Sequence, residues 1–270
     1  MPPASANSST FRRTAARTDL WPDLAAIPAG WYVMGSREGE GRDEERPAHR
    51  LWVDASDMAR RQVTNREYAR FLEATRRPPP PFWSDPLFKA PEQPVTGPSW
   101  FDAAAYCSWL SRETGDCFRL PTEAEWEWAA RGGLPEAAYP WGDGDPAGRP
   151  NYVGRWKHAP EPVATSPANA YGLFDMCENV HEWCLDWFDP GFYAGSPERN
   201  PLCTRPGTSP ARRASRGGAW RHHVRISRCA ARSAIPPEFH YADYGFRIVR
   251  SPLFSAEARE FEPCKEPADA

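Results

Sequence analysis

Three short windows of this chain carry apolar residues at helical spacing, and each opens on a hydroxyl residue. Thr64 is followed by Glu67 and then by Tyr68, Phe71 and Leu72 on one face, which predicts a capping box at the head of an amphipathic helix. Ser99 precedes Trp100, Ala103, Ala104 and Cys107 at the same spacing, with Gly115 as the stop. Thr122 and Glu125 repeat the box, and Gly132-Gly133 ends that helix. Strand-like clusters of apolar and aromatic residues fall at Gly30 to Met34, Leu51 to Val53 and Phe246 to Val249. Between Tyr139 and Ser215 almost no period is visible, and Pro78 to Pro81 reads as an extended surface connection.

Composition sharpens this picture. With 31 prolines, 19 glycines and 13 tryptophans among 270 residues, the chain suits neither a helical bundle nor a repetitive sheet. Pro and Gly break regular elements, whereas Trp packs irregular ones. The expectation is an α+β fold with little regular secondary structure. The domain is read over 21–251, between a disordered N-terminal arm over 1–20 and a C-terminal tail over 252–270. A net charge of -3 gives no electrostatic case for nucleic acid or an anionic membrane surface. No apolar run approaches the roughly 20 residues that span a bilayer. Met1 to Asp19 lacks an apolar signal segment, so the expected compartment is the cytoplasm. The seven cysteines form no CxxC pair, which argues against a zinc ribbon and for free thiols in a reducing compartment.

Five signatures stand in order along the chain: Arg119 to Gly133 (RLPTEAEWEWAARGG), Asp175 to Trp183 (DMCENVHEW), Arg216 to Trp220 (RGGAW), Arg228 to Ser233 (RCAARS) and Tyr244 to Arg247 (YGFR). Together with Ile27-Pro28-Ala29-Gly30, Met34-Gly35-Ser36 and Val63 to Tyr68, they resemble the formylglycine-generating enzyme family, the sulfatase-modifying-factor domain, from about Leu24 to Arg250. The resemblance implies a compact, irregular single domain related to C-type lectin-like folds.

It also implies chemistry. Active members hold Cu(I) on two cysteines five residues apart and use dioxygen to oxidise a substrate cysteine, and soft thiolates suit that ion. Cys229 matches the second cysteine, with Arg228 and Arg232 flanking it to favour the thiolate. Five residues earlier stands Val224, so a second thiol would have to come from Cys177, Cys184 or Cys203 through the fold. Conversion of a Cys-x-Pro-x-Arg peptide is accordingly expected to be weak or absent. Asp243 matches an active-site polar position, placed either to hydrogen-bond a substrate backbone or to pair with Arg247.

The family's structural calcium carries over to Asp175 and Glu182 by side chain and to Glu178 and Val180 by carbonyl, an oxygen set that suits a hard cation. A second calcium would map to Asn151 and Tyr152, with Arg155 where its acidic partner should be. Iron(II) is a further candidate through His181, His222 and His223, because the related sulfoxide synthase of ergothioneine biosynthesis uses iron, although on histidines of a separate helical domain. Glu123 and Glu127 are read as a solvated helix face and Glu125 as a cap. Three functions follow: an oxygen-dependent oxidoreductase acting on a peptide cysteine or a small thiol, a non-catalytic binding paralogue, and a non-haem iron oxygenase.

Overall fold

The computed structural model describes residues 20–146 and 158–250. The arm expected over 1–20, apart from Leu20, and the tail over 252–270 lie outside the described residues, as do Asn151 and Tyr152. Leu20 itself joins the main core rather than an arm.

All three helices form where their caps predict. Helix α1 (Asn65–Thr75) begins with Thr64 accepting from the Glu67 amide while the Glu67 carboxylate takes the Thr64 amide. Helix α2 (Trp100–Thr114) uses Ser99 and Asp102 in the same way and stops at Gly115 with φ 80°. Helix α3 (Glu123–Arg131) is boxed by Thr122 and Glu125 and ends at Gly132, φ 58°. A left-handed residue closes each of the last two helices, which is the glycine conformation.

Among the described residues, ten short strands make three sheets. Strands β1 (Leu24–Ile27), β4 (Ser56–Ala59), β5 (Phe118–Arg119) and β10 (Val249–Arg250) form one, in the order β1-β4-β10-β5. Strands β2 (Gly30–Met34) and β3 (His49–Val53) pair as an antiparallel hairpin. The third sheet runs β8-β7-β6-β9, built from β6 (His181–Trp187), β7 (Arg213–Arg216), β8 (Arg232–Ile235) and β9 (Tyr244–Gly245). The strand expected over Phe246 to Val249 is replaced by two two-residue strands, because Phe246 and Ile248 instead receive backbone bonds from Val63 and Ala59.

Strand β6 organises the interior. Its Trp183 and Leu185 enter the larger core with α1 and α2, while Cys184 enters a second core with α3, β1 and Cys229. A strand buried on both faces has no polar alternation, which is why His181–Trp187 shows no period. Two buried indoles find acceptors across the core: Trp126 Nε1 donates to Glu182 Oε2 at 2.6 Å and Trp183 Nε1 to the Pro98 carbonyl at 2.9 Å. Among the described residues, no helix is long and apolar enough to cross a membrane.

The helix α3 acids are a correction to the sequence reading. Glu123 and Glu127 are not solvated: they are 2% and 0% exposed and paired with arginines from other segments. Arg232 forks onto Glu123 at 2.6 and 3.0 Å, Arg131 meets Glu127 at 2.6 Å, and Arg216 lies between, bonded to Glu127 and 3.6 Å from Glu123. Two further buried pairs, Arg119 with Glu125 and Arg247 with Glu182, complete the set. Bidentate guanidinium geometry makes such burial tolerable, since every charge keeps an oppositely charged, hydrogen-bonded partner.

Candidate functional site

Cys229 is fully buried, and its amide donates to the Ala138 carbonyl at 2.8 Å. Cys177, equally buried, lies beside it with the two thiols within hydrogen-bonding reach of each other. Val224, where a cysteine would complete the family pattern, packs in one cluster with Cys177 and Tyr139. Cys177, from the DMCENVHEW segment, is thus the cysteine that the fold brings towards both Cys229 and Val224. Sequence spacing could not reveal this, because 52 positions separate Cys177 from Cys229 and only the fold closes the gap. Cys184 bonds to the Glu182 carbonyl and Cys203 to the Arg205 carbonyl.

Burial pushes the Cys177 thiol well above its ordinary range, and its own hydrogen bond to Cys229 adds to that. Of the flanking arginines, Arg228 is drawn to Glu45 at 2.8 Å and to Ser36, and Arg232 to Glu123 with its other donors on the Glu44 and Asp189 carbonyls. Arg232 also lies over Phe188 and Tyr193, so its observed role is to staple the fold. The cation within electrostatic reach of Cys229 is Arg131. Arg131 and the neighbours of Cys229, Arg228 and Ala230, line an open cavity of about 510 Å³, with Ala138 on the same wall.

Two buried, soft sulfur donors suit a Cu(I) ion. The calcium cage fits less well. The Gln62 amide nitrogen donates to Glu182 Oε1 at 2.9 Å, to the Glu178 carbonyl at 3.2 Å and to the Val180 carbonyl at 3.4 Å, so it stands among three of the four expected ligand atoms. Calcium–oxygen distances are about 2.3–2.6 Å, and the carboxylate of Glu182 is already neutralised by Arg247 at 2.5 and 2.7 Å. The four residues named for calcium therefore do not fit that ion; an amide and a guanidinium take its place. Asp175 is left as a buried acid with φ 60°, accepting from the Ala164 amide. Burial, and then the Glu178 charge, raise its carboxyl to about 7.

A third grouping forms around His181. Parallel pairing of β6 with β9 places His181 against Tyr244, and its amide donates to the Asp243 carbonyl. His181 Nε2 faces His222 Nδ1 at 3.0 Å, and Asp243 Oδ2 lies 3.9 Å from His222 Nε2. Asp243 pairs with Arg221 through two bonds of 2.7 and 2.8 Å, not with Arg247. His223 turns outward and accepts from the Arg225 amide, so it does not join the group. Burial, then the His222 and Arg221 charges, lower His181 to about 3. Of the three histidines named for iron(II), the fold brings His181 and His222 together, and Asp243 rather than His223 joins them.

The chain is similar to known proteins over nearly its whole length. A serine/threonine-protein kinase, pkn1 of Chlamydia caviae, is 32% identical over 86% of this chain, though the match spans only 38% of that protein. The formylglycine-generating enzyme of Streptomyces coelicolor is 33% identical, over 91% of this chain and 95% of its own. Among solved structures, PvdO from Pseudomonas aeruginosa superposes with a TM-score of 0.75 at 26% identity, covering 86% of this chain and 95% of that one. Residues 10–252 match the sulfatase-modifying factor enzyme 1-like domain. With this match, these relatives and the mixed, irregular fold in agreement, the chain belongs to the formylglycine-generating enzyme (sulfatase-modifying factor) family.

Proposed function

We propose that this protein is an oxygen-dependent oxidoreductase acting on a thiol, either a cysteine in a peptide or a small sulfur compound, and that Cys177 and Cys229 together hold Cu(I). The observation that supports it most directly is the pairing of the two thiols beside Val224. Copper bound there would supply one-electron and dioxygen chemistry. The chain's own residues do the rest: the apolar wall of Tyr139, Val224 and Ala138 excludes water, and Arg131 sets a positive charge within electrostatic reach of Cys229. The open cavity beside Arg228 and Ala230, with Arg37 and Arg131 on its wall, is the route by which a thiol substrate reaches the pair.

The pair differs in position from the family spacing, so a substrate thiol is presented differently from a sulfatase peptide. Formylglycine production from a Cys-x-Pro-x-Arg peptide is expected to be weak or absent. Anaerobic Cu(I) titration against a competing chelator tests the site. Tight, one-equivalent binding is expected for the native chain, lost in both Cys229→Ser and Cys177→Ser and retained in Cys117→Ser. Native-like binding by Cys177→Ser would sink the paired site, and no binding by the native chain would sink the copper reading altogether.

A further inference from the structure

The geometry points to a second metal site in this molecule, independent of the thiol pair: a first-row divalent cation, iron(II) by its donor set, held by His181, His222 and Asp243. One donor atom from each residue lies within 4.8 Å of the other two, and no other described group of three His, Cys, Asp or Glu does so. Metal–imidazole bonds are about 2.0–2.1 Å, so two such ligands at a right angle stand about 3 Å apart. The 3.0 Å between His181 Nε2 and His222 Nδ1 has that spacing.

The contact sets two imidazole nitrogens face to face inside the fold, while His181 Nδ1, on the other side of its ring, is buried without a hydrogen-bond partner. A cation between the rings takes the lone pair that each facing nitrogen can present, and the second nitrogen of each ring then carries the proton. Asp243 Oδ2, 3.9 Å from His222 Nε2, brings a negative charge to the same place.

Asp243 supplies the carboxylate. It is 1% exposed and held by Arg221, whose side chain is 44% exposed and free to swing outward when an oxygen turns to the ion. Two histidines and one carboxylate on one face of an ion leave further coordination positions open, the pattern of non-haem iron(II) sites. Those positions are approached from solvent past the partly exposed His222 and a row of rings, Tyr244, Tyr241 and Phe239, with centroids 6.1 and 5.9 Å apart. Such a wall suits a ligand with a flat or apolar group beside its metal-binding atoms.

Cobalt(II) titration of the metal-stripped full chain, followed by visible absorption, tests the assignment. One equivalent should bind with the bands of a nitrogen and oxygen site and no near-ultraviolet thiolate band. His222→Ala should abolish binding, and Asp243→Asn should weaken it at least about tenfold. His222 is on the rim, so its variant should keep the native melting curve, and Fe(II) should displace the bound cobalt. Cys177→Ser should bind as the native chain does, which separates this result from failure or success of the copper site. No binding by the native chain, equal binding by a folded His222→Ala, or loss of binding in Cys177→Ser would each overturn the site.

Discussion

Replacing Arg216 by Met is expected to remove about 3–5 kcal/mol of stability, the range for breaking a buried ion pair from one side. The guanidinium is fully buried, bonds Glu127, lies 3.6 Å from Glu123 and donates to the Ala230 and Ala231 carbonyls at 2.9 Å each. Methionine fills the volume but leaves two buried carboxylates sharing the remaining cations, Arg131 and Arg232, and two buried carbonyls without donors. Native domains have about 5–15 kcal/mol in total, so a drop in Tm of about 10 °C or more should appear in a thermal melt. Arg66→Met is the comparison: its pair with Glu92 is 60% and 51% exposed, and its loss should be near neutral. Equal melting of the two variants would refute the view that the interior charges hold the fold. Adding Glu127→Leu to Arg216→Met should deepen the loss, because it strips the buried Arg131 and the Gly35 amide of their shared acceptor.

The same network carries the site. Arg216 grips the carbonyls directly after Cys229, while Arg131, bonded to Glu127, reaches the Cys229 thiol. A loosened Glu127 would therefore misplace both the loop and its cation.

This explains what was legible beforehand and what was not. The helices could be read because capping is local: Thr64, Ser99 and Thr122 each meet an acid three residues on. Strands β2 and β3 could be read because an apolar cluster suffices for a hairpin. Strand β6 could not, since burial on both faces erases its alternation, and the acids of α3 were misread because a pattern rule takes charge for exposure. A usable signal was nevertheless present. RGGAW, RCAARS and YGFR each contain an arginine that ends on an acid of α3 or β6: Arg216 on Glu127, Arg232 on Glu123, Arg247 on Glu182. Repeated arginines in apolar motifs, balanced by glutamates in another, mark interior pairs rather than two solvated faces. The thiol pair and the His181 cluster were beyond reach for a different reason. Cys177 and His181 sit four apart on one segment, and only the neighbouring 217–229 backbone gives each its partner.

Asp175→Asn is expected to stabilise the protein at pH 8 and to do so by clearly less at pH 5. A carboxyl raised to about 7 in the fold and titrating near 3.8 unfolded holds its proton in the native state alone between those values. The native state then binds more protons than the unfolded one, so stability falls as pH rises through this window and the loss is complete above about 7. At about 1.4 kcal/mol per pKa unit the ceiling is about 4 kcal/mol, and relaxation and water entry around a strained buried acid bring the expected gain nearer 2. Asn suits the site: it tolerates φ 60° and its amide oxygen still accepts the Ala164 N–H. His181 runs the other way, because a ring lowered to about 3 is destabilising only as pH falls below its unfolded value near 6.5. It leaves the alkaline comparison untouched. Melting curves of the two proteins at pH 5 and 8, each with and without EGTA, provide the check. A bound calcium on Asp175 would reverse the result: EGTA would lower the native Tm, and Asp175→Asn would melt earlier at pH 8. With Gln62 donating to Glu178, Val180 and Glu182, the expected curves are unmoved by EGTA and higher for the variant in alkali.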